Sequence, residues 1–198
     1  MIGFRLPLPA PMRRQDRNSS NAFFASASLK SVLCSIRRVA PYHLRKDKNM
    51  NLYTSYWAMV RNFPKNLVGL NTTIWPPKWR PLGQDKRGIW VIDCPPLKPG
   101  KDCSNLCRGL CEPRHPQDCN FLQKYYEQLS QINFSKFCDS LQNLANRIKK
   151  HENLEDVDFA FIVFETPKNA CSERVIIQQW LCDNNVKIQE WSQLVKNT

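Results

Sequence analysis

The loop 165–174 brings together three residue types that could bind and attack a phosphate-bearing ligand. Cys171 and Arg174 lie near the start of a predicted helix, and Glu165 directly follows an apolar run over residues 159–164. A thiol at a helix N-terminus tends toward the nucleophilic thiolate, and the amide hydrogens there attract anions. The positive charge of Arg174 is unfavourable at the N-terminus of a helix, which is itself partly positive, unless an anion is held nearby. The loop therefore predicts an anion site in which Cys171 is the nucleophile, Arg174 binds phosphate and Glu165 is a base or orienting group.

Aromatic and hydroxyl side chains elsewhere are predicted to line this pocket. Residues 75–81 interleave tryptophans, prolines and cations, and such aromatics can stack on bases while Lys and Arg contact phosphates. Four residues are the predicted lining of the ligand pocket: Tyr53, Ser55, Trp75 and Lys168. Simpler interpretations stay open, namely an inert cysteine beside a solvent-facing arginine, a glutamate that only pairs with an arginine, and tryptophans that close the end of the sheet.

A cysteine-rich insert over residues 94–119 predicts a metal site. Its four closely spaced cysteines are Cys103, Cys107, Cys111 and Cys119. Thiolates suit a tetrahedral zinc site, although this spacing departs from the C-x2-C of common zinc sites. It also misses by one residue the C-x3-C-x2-C loop typical of radical enzymes that use S-adenosylmethionine. We expect structural zinc, with an iron–sulfur cluster, free thiols or disulfides as the alternatives.

The elements that must position these residues alternate between strand and helix. Strands are predicted at residues 52–57, 67–75, 89–92, 158–164 and 186–191, and helices at 121–129, 134–148 and 172–182. The unbroken apolar run 159–164 is typical of a parallel strand buried on both faces. The pattern predicts a three-layer, Rossmann-like α/β domain with a mainly parallel sheet, in which ligands bind outside the carboxyl ends of the strands.

The first 49 residues differ from the rest of the chain. They hold ten Lys or Arg against two Asp, a charge of +8 out of the formal +12, and show no sustained periodicity. Three interpretations are open: a gene-start artefact with initiation at Met50, an organellar transit peptide, and a disordered basic arm. We expect one domain over residues 50–198 that is only mildly basic. Since no secretory signal or membrane-length apolar stretch is recognisable, we expect a cytoplasmic protein with no membrane partner.

Two segments carry a family resemblance. The first is Leu-Tyr-Thr-Ser-Tyr-Trp from residue 52, and the second runs from Phe161 to Arg174 as strand, Glu, x-Pro, Cys, Arg and helix, continuing to Trp180 and Leu181. Together with Thr-Ile-Trp-Pro from residue 73, they resemble the family catalogued as domain of unknown function 488. The similarity covers most of residues 50–191 and implies an α/β fold, but the family has no securely established activity. Its members usually carry Cys-His-Arg where this chain has Cys-Ser-Glu-Arg, and the cysteine-rich insert is not general to the family.

Two functions are therefore open. The first is an enzyme that acts on a nucleotide or nucleic acid through the loop 165–174. The second is a non-catalytic, metal-stapled module that binds nucleic acid or protein through the segment 75–81 and the cysteine-rich insert. The enzyme hypothesis requires a phosphate-containing ligand. Neither hypothesis predicts the oligomeric state.

Overall fold

A computed structural model describes residues 50–80, 82–104, 119–168 and 172–191. Within these ranges the strands are β1 (Leu52–Tyr56), β2 (Leu67–Asn71), β3 (Gly83–Gln84), β4 (Trp90–Asp93), β5 (Asp158–Val163) and β6 (Gln189–Glu190). They form one sheet in the order β3-β4-β2-β5-β1-β6. Every neighbouring pair is parallel apart from β3 and β4, which are antiparallel. The predicted α/β fold with a mainly parallel sheet is thus confirmed.

The helices pack against one face of this sheet. They are α1 (Lys101–Ser104), α2 (Asn120–Ser130), α3 (Phe134–Glu152) and α4 (Glu173–Asp183). The apolar stripes of α2, α3 and α4 join one core cluster with alternate residues of β2 and β5. The other face is covered by a 3-10 helix, Trp57–Asn62, and the residues beside it. A Rossmann-like domain carries helices on both faces of its sheet, whereas the α-helices described here pack on one face. The Rossmann-like arrangement therefore stays a prediction.

Strand β5 lies at the centre of the sheet, between β2 and β1. All of its residues after Asp158 are buried, as the apolar run predicted. The neighbouring strand β2 carries a glycine where this packing is tightest, since a Cβ on Gly69 would lie 2.4 Å from the Cδ1 atom of Ile162. Close packing of β2 on β5 therefore favours glycine at this position.

Four predicted strands, 52–57, 67–75, 158–164 and 186–191, were too long, and local polar contacts explain one of them. The predicted strand 67–75 ends at Asn71, whose side-chain oxygen accepts hydrogen bonds from the Thr73 amide at 3.0 Å and the Thr73 hydroxyl at 2.6 Å. Such a side-chain contact two residues on is typical of a turn. The predicted strand 158–164 ends at Val163, which leaves Phe164 outside the sheet.

No helix in the described ranges combines the length and the apolar character needed to cross a membrane.

Candidate functional site

The carboxyl ends of β1, β2, β4 and β5 meet at one edge of the sheet, because these strands are parallel. In open α/β sheets this is the edge where ligands bind. Two features lie in the segments that leave it, a buried ion-pair cluster and exposed aromatic rings. A third feature, a cleft lined by arginines, lies beside the 3-10 helix and reaches the turn before β4.

The buried ion-pair cluster is built around Arg174, which is only 5 % exposed. Its Nε lies 2.9 Å from Glu190 Oε2, and its Nη2 donates a hydrogen bond to the Glu165 carbonyl at 2.5 Å. The hydroxyl of Thr54 also donates to Glu190 Oε2, at 2.7 Å, and itself accepts from Gln178 Nε2 at 2.7 Å. Arg174 therefore connects the segment after β5 to β6 and is already paired with a carboxylate.

A second pair of carboxyl groups adjoins this cluster. Ser172 caps α4 by accepting from the Arg174 amide at 3.3 Å, and its hydroxyl donates to Glu165 Oε2 at 3.1 Å. Burial and the neighbouring Glu165 carboxyl raise the pKa of Glu173 to about 8. In the described part of the chain, Glu173 Oε2 is buried and has no hydrogen-bond partner. A carboxyl whose pKa is raised to about 8 can hold or release a proton near neutral pH, which suits general acid–base chemistry.

The Glu173 proton predicts a specific pH dependence of stability. Its folded pKa of about 8 lies above the ordinary value of 4.5, so between these values the folded protein keeps a proton that the unfolded chain has lost. The free energy of unfolding should therefore fall as the pH rises through this window, by at most about 1.4 kcal/mol per pH unit. Glu173→Gln should flatten this slope and stabilise the protein at the alkaline end. Urea denaturation across the window tests this, with the exposed Glu155→Gln as control, and parallel slopes for Glu173→Gln and wild type would refute it.

The arginine cleft is a cavity of about 480 Å³ beside the 3-10 helix, and its contacts reach the turn that precedes β4. Its lining residues are Ala58, Arg61, Trp79, Arg80 and Arg87. Arg80 is buried, where its Nη2 donates to the Ile89 carbonyl at 3.0 Å and lies 3.6 Å from Asp85 Oδ2. Arg87 pairs with the same carboxylate at 2.9 Å and donates to the Arg61 carbonyl. These contacts hold two guanidinium groups in place in the wall of the cleft.

The cleft carries a net positive charge. Three arginines line it, and Asp85 is the carboxylate that contacts two of them. Burial raises the pKa of Asp85, but hydrogen bonds from the Ile89 and Arg87 amides and from the Arg87 side chain lower it overall, so this group stays ionised. Among the described side chains of the cleft, positive charge therefore exceeds negative charge. A cleft of this volume and charge suits an anion of nucleotide size.

Three large aromatic rings are exposed at this edge. Trp75 is 79 % exposed, Trp79 65 % and Phe164 62 %. They follow β2 and β5, which are neighbours, and the Thr72 amide extends their ladder by donating to the Ile162 carbonyl at 3.2 Å. Trp79 also contacts Trp57 edge-on, with ring centroids 6.4 Å apart. Large exposed aromatic rings of this kind are candidate contacts for a ligand.

Of the residues predicted in the loop 165–174, the structure describes Glu165, Lys168 and Arg174. It brings Arg174 to Glu165, through the backbone carbonyl of the glutamate, and exposes Lys168 in the turn that follows. Cys171 lies outside the described residues, so its predicted role as nucleophile stays a prediction.

The residues predicted to line the ligand pocket differ in burial and in position on the sheet. Ser55 is fully buried, and its Oγ has no hydrogen-bond partner among the described residues. Tyr53 is half-buried and contacts Trp191 edge-on at 5.2 Å. It also lines a cleft with Met50 and Asn51, which precede β1, and so lies toward the opposite edge of the sheet. Trp75 is therefore the predicted lining residue that the structure exposes at the carboxyl edge.

Half of the predicted metal site is described. Cys103 is buried in α1, where its Sγ lies 3.6 Å from the Oε1 atom of Gln128, a residue in the last turn of α2. Cys119 is also buried and immediately precedes α2. Burial raises the pKa of the Cys103 thiol. Cys107 and Cys111 lie outside the described residues. Within the described ranges, no group of three or more His, Cys, Asp or Glu residues is placed to hold a metal ion, and zinc stays a prediction.

Sequence reasoning missed the arginine cleft, Glu173 and Glu190. The cleft is assembled from segments around residues 61, 80 and 87, which only the sheet brings together. The position of Glu173 in the first turn of a helix could be recognised from sequence, because acidic residues are common after a serine cap. The burial of its side chain could not. Comparisons of this chain with protein-family models, with curated proteins and with solved structures gave no match.

Proposed function

We propose that this protein binds a nucleotide or nucleic acid in the arginine cleft. The observation that carries the proposal is the arginine cleft, which is lined by three arginines and by the exposed ring of Trp79. Guanidinium groups bind phosphate through paired hydrogen bonds, and an exposed indole offers a flat face on which a base can stack. The cleft thus offers both recognition elements of a nucleotide within one cavity.

Arg61 is the residue on which this proposal is most directly tested. Its side chain is exposed at the cleft, so Arg61→Gln removes a charge without opening the core. We expect the affinity for adenosine 5′-monophosphate, measured by titration calorimetry, to fall by about tenfold, as for the removal of a hydrogen bond to a charged group. The matched control is Arg147→Gln, which removes an exposed arginine from α3. Equal affinities of the two variants, or no binding by the wild type, would contradict the proposal.

Catalysis at the loop 165–174 is the second candidate function. The adjacent carboxyl groups of Glu165 and Glu173, one of which keeps its proton at neutral pH, favour it. In this proposal the Cys171 thiolate attacks the phosphorus of a phosphate ester, the bond from phosphorus to the leaving oxygen breaks, and the Glu165–Glu173 pair donates a proton to that oxygen. Arg174 serves as a positioning residue, because its ion pair with Glu190 is buried. Membership of the domain of unknown function 488 family remains part of the same proposal, and it rests on the residues around this loop.

The reactivity of Cys171 tests the catalytic candidate. We expect iodoacetamide at neutral pH to alkylate Cys171 faster than a free thiol, as mass spectrometry of the digested protein would show. Cys94 and Cys138 are internal references, because burial raises their pKa values to about 12 and about 11 and keeps them protonated. Alkylation of Cys171 no faster than that of a free thiol would sink the nucleophilic role.

A further inference from the structure

We infer that the ligand of the arginine cleft is a single-stranded nucleic acid, whose backbone passes the cleft while its bases stack on Trp79 and on the exposed rings of Trp75 and Phe164. The inference rests on the proposed function and names its substrate class. The first argument is the number of rings. A mononucleotide in the cleft needs one stacking surface, which Trp79 supplies, yet two further rings are exposed beyond it at 79 % and 62 %.

The second argument is the position of these rings. Trp75 and Phe164 follow two adjacent parallel strands, which are in register from Leu67 and Asp158 to Asn71 and Ile162. The rings are therefore held by neighbouring segments of one edge, each close to the point where its strand ends. Proteins that bind single strands use such a row of aromatic side chains, on which successive bases stack.

The third argument excludes a duplex. Stacking on a protein ring needs the face of a base to be open, and inside a double helix both faces are covered by the neighbouring base pairs. Exposed rings on short loops therefore favour unpaired bases. A duplex would be held through its phosphates alone, and the arginine cleft would then be the part of this surface that it uses.

The fourth argument separates nucleic acid from a protein partner. Lysines are depleted in protein–protein interfaces, yet exposed lysines accompany the rings here. Lys78 lies between the two tryptophans in the chain, and Lys168 lies in the turn that follows Phe164. Together with the positive charge of the arginine cleft, these lysines match a polyanion better than an apolar protein surface.

The experiment compares three ligands by fluorescence anisotropy or competition: a labelled deoxythymidine oligonucleotide of about ten residues, a labelled duplex of the same length, and adenosine 5′-monophosphate. Wild type should bind the single strand more tightly than the duplex. Trp75→Ala and Phe164→Ala should each weaken single-strand binding by about 5- to 150-fold and leave mononucleotide binding unchanged. Val175→Ala, which shortens an exposed apolar side chain on α4, is the matched control and should change neither.

The outcomes separate the inference from the proposed function. Mononucleotide binding without a preference for the single strand overturns the inference and leaves the proposed function intact. Unchanged single-strand affinity in Trp75→Ala and Phe164→Ala also overturns the inference. If none of the three ligands binds, both the inference and the proposed function are overturned. A protein that binds tightly and competes for the same rings would overturn the inference and identify them as part of a protein-binding surface.

Discussion

Replacing Arg174 with methionine is expected to lower the free energy of unfolding by about 3–5 kcal/mol, the loss typical of removing one partner of a buried ion pair. The substitution leaves the Glu190 carboxylate buried, with the Thr54 hydroxyl as a remaining donor at 2.7 Å. It also removes the hydrogen bond to the Glu165 carbonyl, which ties the segment after β5 to α4. Urea denaturation with circular dichroism would measure the change.

Two further variants make this prediction specific. Arg147→Met removes an arginine that is exposed on α3 and should change stability by less than about 0.5 kcal/mol. The double variant Arg174→Met/Glu190→Leu should recover much of the loss, because a buried pair replaced by apolar residues no longer leaves an uncompensated charge. A loss below about 1 kcal/mol in Arg174→Met would show that the guanidinium is not the partner that holds Glu190 in the core.

Replacing Phe161 with alanine is expected to cost about 3–5 kcal/mol. Phe161 lies at the centre of β5, is fully buried, and stacks on Phe137 with ring centroids 6.3 Å apart. Its removal leaves a cavity between the sheet and α3, which the neighbouring strands prevent from closing. Thermal and urea denaturation would both report the loss.

Phe164 is the matched control for this prediction. It is the same residue type three positions further along, but it is 62 % exposed. Phe164→Ala should therefore change stability by less than about 0.5 kcal/mol, although it should weaken binding of a single strand. Equal losses in the two variants would contradict the assigned end of β5 and the exposure of the ring that follows it.

The central strand and the long helices could be predicted because their signals are local. Residues 159–163 are apolar throughout, and the helical spacing that ends at Ile148 predicted α3 with a C-terminal error of four residues. The predicted strand 67–75 was too long, because periodicity does not detect the turn that the Asn71 side chain stabilises. Strand β3, of two residues, is too short for any pattern to predict.

The candidate site was only partly predictable. Glu165 and Arg174 are close in sequence, so their proximity followed from one strand-to-helix connection. Whether Arg174 faced solvent or a buried carboxylate depended on Glu190, which belongs to a strand sixteen residues further along. The arginine cleft depended on the path of the chain between β1 and β4, which no local spacing describes. Long-range pairings are the part of this site that the sequence pattern does not encode.

The salt dependence of oligonucleotide binding tests most directly whether this protein binds nucleic acid through the arginine cleft. The measurement compares wild type with Arg61→Gln/Arg87→Gln, using a single-stranded oligonucleotide of about ten residues at salt concentrations from about 50 to 200 mM. We predict that the wild-type affinity falls steeply with salt, and that the slope of log K against log salt becomes shallower by about 0.7 for each phosphate that the variant no longer neutralises. An affinity that is independent of salt, or identical slopes and affinities in the two proteins, would contradict the account.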